Sequence, residues 1–436
     1  MKRIGTLSLV FILYFSTSGG PFTTETLVRA VGPGMALLVL LLVPLFWSVP
    51  EVLIIGELSS MLPVEGGYYR WVDRAFGKFW AFQNGWLTWM YSLVDMAIYP
   101  LLFNQYIGWF LPGLSPTAQW IISLSVIWGA TAINLSGAVR VGKISIVAGL
   151  FIIVGFAVAA VGALPHIHHS PFTPFSSGGG TGTSSLAVGL SIALWNYIGW
   201  DNASTVGGEV KDSGKTYPKA LALTLPLVTV GYFIPLLATL GATDWTTWTD
   251  GGWPQIVRNA VGGGGFGWFV ASWVAVGGMV SALALFNALL LSYSRIPFVM
   301  AEDGLLPGAL ARTDRNGTPY VAVLGAAVAY SIFVLVPLAH LVVADVVLYS
   351  LALALEFGAL IALRRKEPDL RGSFRIPVGR GGVVGLATLP MVILLAVIGL
   401  SFRDGEYGLP AVIGAAIAIV LGPVAYATAR RRRAGS

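Results

Sequence analysis

The sequence predicts an all-α polytopic membrane protein with about twelve transmembrane helices, and three observations support this fold class. Of the 436 residues, 56% are hydrophobic and 11% are charged, whereas about a quarter of the residues in soluble domains are charged. The apolar residues form runs that reach the roughly 20 residues needed to span a bilayer. Gly is abundant, with 54 residues, which suits membrane helices that pack through small side chains.

The hydropathy pattern places the spans between short polar or basic connections. We expect transmembrane helices over residues 5–31, 34–61, 79–110, 117–137, 140–164, 186–209, 217–241, 266–299, 318–337, 340–363, 382–402 and 407–429. The polar stretches 165–185 and 242–265 contain clusters of Gly, Ser or Pro, which predict loops. Lys2 and Arg3 before the first apolar run resemble the start of a signal peptide. No clear small-residue cleavage site follows them, so we expect the first span to be retained.

The basic residues predict the orientation of the chain. With the N-terminus in the cytoplasm, 22 of the 26 Lys and Arg residues fall in cytoplasmic segments. Arg29, Arg258 and Arg403 fall on the other side, and Arg295 lies within a span. This bias follows the positive-inside rule and predicts an integral plasma (inner) membrane protein with both termini cytoplasmic. The net charge of +6 then reflects topology and not a nucleic-acid partner. The basic tail 430–436 is expected to contact anionic headgroups of the lipid bilayer or to act only as a topology anchor.

Two spans contain residues that interrupt a helix. The first span carries Ser18-Gly19-Gly20-Pro21, and the sixth carries Asn196-Tyr197-Ile198-Gly199-Trp200-Asp201. Pro removes a backbone donor and Gly lowers the cost of unwinding, and unwound backbone at membrane depth is tolerated where it lines a cavity. Interrupted helices that begin two corresponding halves, 1–165 and 186–363, are typical of transporters with an inverted repeat. A simple Pro kink or a Gly packing notch is the alternative.

Acidic residues within the spans outnumber basic ones. They lie at Glu25, Glu51, Asp95, Asp201 and Glu356, with Glu57, Glu209 and Asp345 nearer the span ends. Each acid at a helix centre costs about 2.5–3.5 kcal/mol on insertion scales. With Arg295 as the one basic residue inside a span, these acids must be protonated, hydrogen-bonded or neutralised by a cationic solute. Asp95 is followed one turn later by Tyr99, a combination that suits an ammonium group.

Individual acids also have structural interpretations. Glu57 is expected to hold a cytoplasmic loop, and Glu356 to form a hydrogen bond to a neighbouring helix while protonated. A structural role is also the alternative for Glu51.

Residues that catalysis or metal binding requires are scarce. The chain has no Cys, so thiolate chemistry is excluded. His166, His168 and His169 lie in a predicted loop, where adjacent histidines are more often solvated than metal-bound, and no nucleophile–base spacing stands out. We therefore predict no enzyme activity, no metal and no cofactor. A channel or solute sensor is disfavoured because no stretch resembles a selectivity filter or a ring of repeated charges.

The order and spacing of several motifs carry a family resemblance across essentially the whole chain. They are the first-span break with Phe22 and Glu25, Glu57-Leu58-Ser59-Ser60-Met61-Leu62-Pro63 before Glu65-Gly66-Gly67-Tyr68, Asp95 with Tyr99-Pro100, Leu194–Thr205, Gly207-Gly208-Glu209-Val210-Lys211, and Ser294-Arg295 before Ala301-Glu302-Asp303-Gly304. With these motifs the chain resembles the amino acid–polyamine–organocation transporter superfamily. Within it, the chain is similar to the plant and protist polyamine uptake branch, which is related to L-type amino acid transporters.

The resemblance implies a LeuT-like fold, a 5+5 inverted repeat followed by two helices over 382–429. The solute would lie between the first, third, sixth, eighth and tenth spans. Trp195 matches an aromatic gating position, and Asp201 matches a proton-sensing acid. Together the breaks, the acids and the resemblance give these candidate substrate-binding residues: Ser18, Gly19, Gly20, Glu25, Asp95, Tyr99, Trp195, Asn196, Tyr197, Gly199 and Asp201.

The coupling ion stays open. Some proton-coupled relatives carry a Lys in the middle of the fifth span, but here Lys143 lies near its start. Proton coupling would then depend on Asp201, Asp95 or Glu51, whereas sodium would use Ser292 and Ser294 as ligands.

The predicted function is secondary active transport of a small amine-bearing solute by alternating access. The surplus of acids favours a polyamine of the putrescine or spermidine class. The retained glycines of the first break favour the alternative, a permease for neutral or cationic amino acids, because such a turn offers N–H groups to a carboxylate.

Overall fold

The structure, a computed structural model, describes residues 3–177, 183–335, 339–401 and 408–434. Lys2, Arg403, parts of the predicted loop 165–185 and the ends of the predicted spans 318–337, 382–402 and 407–429 lie outside these residues. The α-helices are α1 Thr6–Thr17, α2 Thr24–Val31, α3 Pro33–Val43, α4 Val49–Met61, α5 Gly67–Phe76, α6 Lys78–Ile107, α7 Pro116–Leu135, α8 Ala138–Ala163, α9 Thr183–Trp195, α10 Ser213–Ala242, α11 Trp253–Ala260, α12 Gly264–Tyr293, α13 Arg295–Glu302, α14 Tyr320–Phe333, α15 Ala339–Lys366, α16 Arg380–Ser401 and α17 Gly408–Ala434. Across the described ranges, strand-like pairing is limited to isolated bridges from Ile4 to Val210 and from Glu65 to Val206.

Many of these helices are suited to lipid. Among the described residues, seven helical segments are long and apolar enough to cross a membrane: Pro33–Met61, Pro116–Leu135, Ala138–His166, Ser213–Ala242, Gly264–Glu302, Asp345–Lys366 and Ile413–Arg431. Large apolar side chains on the periphery are exposed, such as Val147 at 70% and Leu395 at 68%. A soluble surface would not carry so much apolar area, so the chain is an integral membrane protein.

Helix α6 is 30 residues long but is absent from those seven segments. Its sequence includes Gln83, Asn84 and Asp95, which lower its hydropathy, and all three side chains are buried. Polar residues inside a membrane bundle face its interior or a cavity. Accordingly α6 packs against α12 and α15 in the centre of the protein.

The predicted break in the first span is present. Helix α1 ends at Thr17 and α2 begins at Thr24. Between them Gly19 has φ 74° and Gly20 has φ 116°, in the region that glycine adopts at low cost. The break turns the chain toward α12, where the Gly19 carbonyl accepts a hydrogen bond from Ser281 at 2.7 Å.

The predicted helix over 186–209 is correct only in its first half. Helix α9 ends at Trp195, and after the expected break the chain forms two short 3₁₀ turns, Asn202–Thr205 and Gly207–Glu209. Gly199 has φ 101°, and a Cβ atom there would overlap the Ser16 carbonyl oxygen. Close packing of this break against the end of α1 therefore prevents a continuous helix.

The second span is continuous but irregular. A π-helical turn, Pro44–Ser48, joins α3 to α4. Pro44 and Pro50 lack the N–H that a regular helix would use, and single π turns frequently occur at functional sites. Just after this turn Glu51 points into the protein and is 0% exposed.

Two helices were not predicted. Helix α5 lies in an expected cytoplasmic connection, and α11 lies in the expected loop 242–265. Both are short and amphipathic: α5 buries Tyr68, Tyr69 and Trp71. Such a helix has no long apolar run in its sequence, because only one of its faces is buried. At the other end of the chain α17 continues to Ala434, so the basic tail begins as helix.

Candidate functional site

A small cavity lies where the two breaks meet α6, α12 and α15. Its lining comprises Ser16, Thr17, Ser18, Tyr91, Asp95, Tyr99, Trp195, Asn196, Ile198, Gly199, Asn202, Leu285, Tyr293, Asp345 and Tyr349. The centre of a water molecule can reach about 20 Å³ of it, and a single water needs about 10–15 Å³ by this measure. The cavity must therefore widen before it can hold any organic solute.

Asp95 is the acid at one side of this cavity. Its Oδ1 accepts a hydrogen bond from the Tyr99 hydroxyl at 2.5 Å and its Oδ2 accepts one from the Tyr293 hydroxyl at 2.9 Å. The carboxyl group is 5% exposed. Tyr99 lies on the same face of α6 because it follows Asp95 by four residues. Two phenol donors fix both oxygens, so Asp95 can present a defined negative site.

A chain of hydrogen bonds connects Asp95 to the second break. Tyr293 accepts a hydrogen bond from Asn202 Nδ2 at 3.4 Å, and Asn202 Oδ1 accepts one from Tyr91 at 3.2 Å. The rings of Tyr91 and Tyr293 meet edge to face at 5.6 Å. The sequence motifs included Asn202, but neither it nor the two tyrosines was predicted to bind solute. Tyrosines at helical spacing within a polar span are the signal that could have indicated them.

Tyr349 joins two buried acids. Its hydroxyl lies 2.5 Å from Glu51 Oε1 and 2.6 Å from Asp201 Oδ1, and it accepts a hydrogen bond from the Gly199 N–H at 2.9 Å. A phenol has one proton, so it can donate to only one of the two carboxyl groups. The other contact is a hydrogen bond only when that carboxyl group carries a proton itself. The arrangement of Glu51, Tyr349 and Asp201, here called the carboxyl–tyrosine cluster, can hold one exchangeable proton.

The backbone donors of the first break are largely occupied within the chain. The N–H groups of Ser18 and Gly19 donate to the Tyr14 carbonyl at 2.8 and 3.2 Å. The Gly20 N–H donates to Ser18 Oγ at 3.1 Å, and Pro21 has no N–H. A solute carboxylate approaching this turn would therefore compete with existing hydrogen bonds.

Trp195 separates the cavity from a second, smaller one. The second cavity is lined by Ser18, Phe22, Thr23, Leu102, Tyr106, Trp195, Gly278, Ser281, Ala282 and Leu285. Ser18, Trp195 and Leu285 line both. The indole of Trp195 is stacked on the ring of Tyr99, with centroids 6.4 Å apart. Trp195 is thus the largest of the three side chains that the two cavities share.

The predicted site residues are only partly gathered around the cavity. Ser18, Asp95, Tyr99, Trp195, Asn196 and Gly199 line it. Asp201 and Glu51 lie behind Tyr349, one hydrogen bond away. Gly19 and Gly20 shape the break but are not in the lining.

Glu25 and Tyr197 lie elsewhere. Glu25 accepts a hydrogen bond from the Gly251 N–H at 2.9 Å, which ties α2 to the segment before α11. The hydroxyl of Tyr197 donates to the Leu40 carbonyl at 2.9 Å and so joins the second break to α3. In this conformation both residues connect helices and neither faces the cavity.

The suggested sodium ligands have other partners. Ser292 donates to the Ala288 carbonyl at 3.3 Å, and Ser294 accepts a hydrogen bond from the Arg295 guanidinium at 3.1 Å. A cation at Ser294 would be repelled by that guanidinium. In the part of the chain that the structure describes, no three His or acidic side chains are grouped so that they could hold a metal ion. The seryl hydroxyls therefore offer little support for sodium.

One end of the helix bundle is formed by residues 57–78, 204–219, 295–303 and 364–380 and is here called the basic end. Ion pairs connect the helices there. Arg364 forms a two-pronged pair with Glu57 and is 5% exposed. Arg295 pairs with Glu209 at 2.7 Å and is 0% exposed. Glu57 also accepts a hydrogen bond from the Ile376 N–H at 2.8 Å, so it has a structural role, in which it holds the connection between α15 and α16.

Glu65 lies at the same end, beside the second break. Gly66 donates its N–H to the Thr205 carbonyl at 2.8 Å, which holds the Glu65 segment against the 3₁₀ turn. The pKa of Glu65 is raised from 4.5 to about 7, and burial is the largest cause. The negative charges of Glu209 and Glu302 also raise this pKa, and the positive charge of Arg295 lowers it. Glu65 is thus a titratable contact between the α4–α5 connection and the second break.

Comparison with known proteins identifies the family of the chain. A family model described as amino acid permease matches residues 4–420. The chain belongs to the amino acid permease family. This confirms the resemblance to the amino acid–polyamine–organocation transporters on which the candidate residues depended.

Several curated relatives of this permease carry a more specific name. The chain is 35% identical over 405 residues to the polyamine transporter PUT1 of Oryza sativa subsp. japonica, covering 92% of this chain and 74% of the relative. It is 35% identical over 426 residues to the polyamine transporter RMV1 of Arabidopsis thaliana, covering 97% and 85%. A probable polyamine transporter of Arabidopsis thaliana is 34% identical over 406 residues, covering 92% and 80%.

Proposed function

We propose that this permease is a secondary active carrier of polyamines of the putrescine or spermidine class. The observation that carries the proposal is the charge of the cavity: carboxyl and phenol groups line it, and Lys and Arg are absent from its described lining. An ammonium group finds acceptors there, whereas a solute carboxylate meets acids and a first break whose donors are occupied. The names of the relatives support the same solute class.

Transport in proteoliposomes tests the solute. Vesicles containing the purified protein are loaded with unlabelled putrescine, and transient accumulation of external labelled putrescine is measured. We expect saturable counterflow that spermidine inhibits and leucine does not. Exchange of a neutral amino acid without any exchange of putrescine would assign the chain to amino acid transport, and unsaturable flux would indicate a pore.

Asp95→Asn tests whether the cavity binds the amine. The amide keeps the shape and the acceptor oxygen but removes the charge, so we expect putrescine binding to be lost in a folded protein. Glu356→Gln is a matched control, because Glu356 is buried beside Asn84 and does not line the cavity. Unchanged affinity in Asp95→Asn would remove Asp95 from the site.

The carboxyl–tyrosine cluster is proposed to couple transport to protons. Its single exchangeable proton lies directly behind the second break, so opening of that break would change the water access of Glu51 and Asp201. An inward proton gradient is expected to stimulate uptake, and a pH indicator inside the vesicles is expected to report acidification with each pulse of putrescine. Uptake that responds to a sodium gradient and not to a proton gradient would contradict this assignment.

The proposed architecture has twelve spans, with a LeuT-like 5+5 inverted repeat over 1–165 and 186–363, two further helices over 382–429, and both termini cytoplasmic in the plasma membrane. It is supported by the equivalent positions of the two breaks and by the basic end.

The chain has no Cys, so single cysteines give clean labelling. In intact cells an impermeant thiol reagent is expected to label Ser115→Cys and to leave Ser373→Cys unlabelled; the reverse pattern would invert the topology.

A further inference from the structure

The cavity contains a second acid, Asp345, that sequence analysis had placed near a span end. Asp345 lies in the first half of α15, lines the cavity and is 1% exposed. Neither Oδ1 nor Oδ2 has a hydrogen-bond partner among the described residues. Buried polar groups nearly always have partners, so each exception calls for an explanation.

A purely structural role does not explain Asp345. If the group were a neutral carboxylic acid, burial would still leave its oxygens without a donor among the described residues. If it were a carboxylate, it would lack any donor or cation, in contrast to Asp95, which two phenols stabilise. In both protonation states the carboxyl group has unused acceptor capacity within the part of the chain that the structure describes, and a solute with several N–H donors would fill it.

We infer that Asp345 is a solute-binding residue whose carboxylate receives, together with Asp95, one ammonium group of the carried polyamine. An ammonium group has three donors and no acceptor, so it can serve both oxygens of Asp345 and one of Asp95. This inference deepens the proposed function and depends on it.

The position of Asp345 also sets the spacing of the site. Tyr349 follows it by one turn on α15, and four residues of helix rise about 6 Å. Behind Tyr349 lie Asp201 and Glu51. The two nitrogens of an extended four-carbon diamine are also about 6 Å apart, from ordinary bond lengths. With the cavity widened, one ammonium lies between Asp95 and Asp345 and the other extends toward the carboxyl–tyrosine cluster, so we expect a preference for solutes with at least two ammonium groups.

The test compares putrescine with butylamine, which has the same carbon chain and a single amine. Affinities for the wild type, Asp345→Asn and the control Glu356→Gln are measured by competition against labelled putrescine. In Asp345→Asn we expect the affinities for putrescine and butylamine to fall by a similar factor of at least about ten, because each amine places one ammonium group between Asp95 and Asp345, and tenfold is the loss expected for one hydrogen bond to a charged group. Affinities for both amines as high in Asp345→Asn as in Glu356→Gln would overturn the inference.

Thermal unfolding separates binding from folding. Because Asp345→Asn removes an unpaired buried carboxyl group, we expect its Tm without solute to equal or exceed that of the wild type, while the rise in Tm caused by putrescine is lost. Asp345→Glu keeps the charge and is expected to retain part of that rise. A lowered Tm with the full putrescine response would contradict the role of Asp345, whereas a wild type that binds no polyamine would reject the proposed function itself.

Discussion

Tyr349→Phe removes one oxygen atom from the centre of the carboxyl–tyrosine cluster. The ring remains and keeps its edge-to-face contact with Tyr91, at a centroid distance of 5.4 Å. What is lost is the group that lies within 2.6 Å of both Glu51 and Asp201 and that accepts the Gly199 N–H. The two acids then have no shared hydroxyl through which a proton can pass between them.

The contacts of that hydroxyl set the size of the effect. A hydrogen bond to a charged group contributes about 1.5–3 kcal/mol, and an unsatisfied buried donor costs about 1–3 kcal/mol. At 1.4 kcal/mol per factor of ten, the first value alone corresponds to about 10- to 150-fold in an equilibrium constant. We expect the stimulation of putrescine uptake by an inward proton gradient to fall at least about tenfold, with a lower Tm in detergent because the Gly199 N–H loses its acceptor.

The assay is initial uptake into proteoliposomes with and without a proton gradient, at equal protein incorporation. Tyr330→Phe is the matched control, because Tyr330 is also buried and its hydroxyl makes one long contact, to Ser92 at 3.3 Å. Full proton stimulation in Tyr349→Phe, with an unchanged Tm, would refute the assignment of the cluster as the coupling site.

Three further predictions concern stability and the basic end. Glu57→Gln leaves the buried Arg364 without its anionic partner, so we expect the free energy of unfolding to fall by about 3–5 kcal/mol. Chemical denaturation in detergent measures this loss. The double variant Arg364→Met with Glu57→Leu is expected to restore much of the lost stability. Glu65 has a pKa of about 7 in the protein against 4.5 unperturbed, so the folded state binds its proton more tightly and stability at this contact decreases as pH rises from 4.5 to 7. Hydrogen exchange within residues 62–66 should therefore speed up over that range by more than hydroxide catalysis alone produces, and this excess should be absent in Glu65→Gln. Gly199→Ala forces a Cβ against the Ser16 carbonyl at a positive φ, so we expect a lower Tm, whereas Gly231→Ala, with open space around it, should be neutral or stabilising.

Specific results would contradict each of these. A loss below about 1 kcal/mol in Glu57→Gln would place the ion pair among weak surface pairs. Exchange at 62–66 that accelerates equally in Glu65→Gln would show that hydroxide catalysis alone sets the rate. A Gly199→Ala variant as stable as Gly231→Ala would mean that the second break adapts without strain.

Membership in the membrane class and the positions of the helices could be predicted from local sequence. Length and apolarity mark a bilayer-spanning run without any knowledge of its neighbours, and Gly19, Gly20 and Gly199 marked the breaks because their backbone freedom is a property of the residue itself. The short helices α5 and α11 were missed because their burial depends on one face only.

The site residues were harder, because the sequence does not say which face of a helix meets which partner. Glu25 was predicted to bind solute and Asp345, placed nearer a span end, was not; of the two, Asp345 lines the cavity, and Glu25 instead ties α2 to Gly251. Helix rotation decides such differences, and rotation is set by the packing of all neighbouring helices together.

The sequence by itself determined that this protein is a membrane-embedded permease with two interrupted helices and more acids than bases in its interior. Each of these properties is local or additive along the chain. Only the tertiary structure decided that Tyr349 joins Glu51, 298 residues away, to Asp201, 148 residues away. It also decided that Asp345 lines the same cavity as Asp95 and has no hydrogen-bond partner among the described residues. Contacts over such separations depend on how the helices pack, and that packing converts a surplus of buried acids into a site of defined spacing.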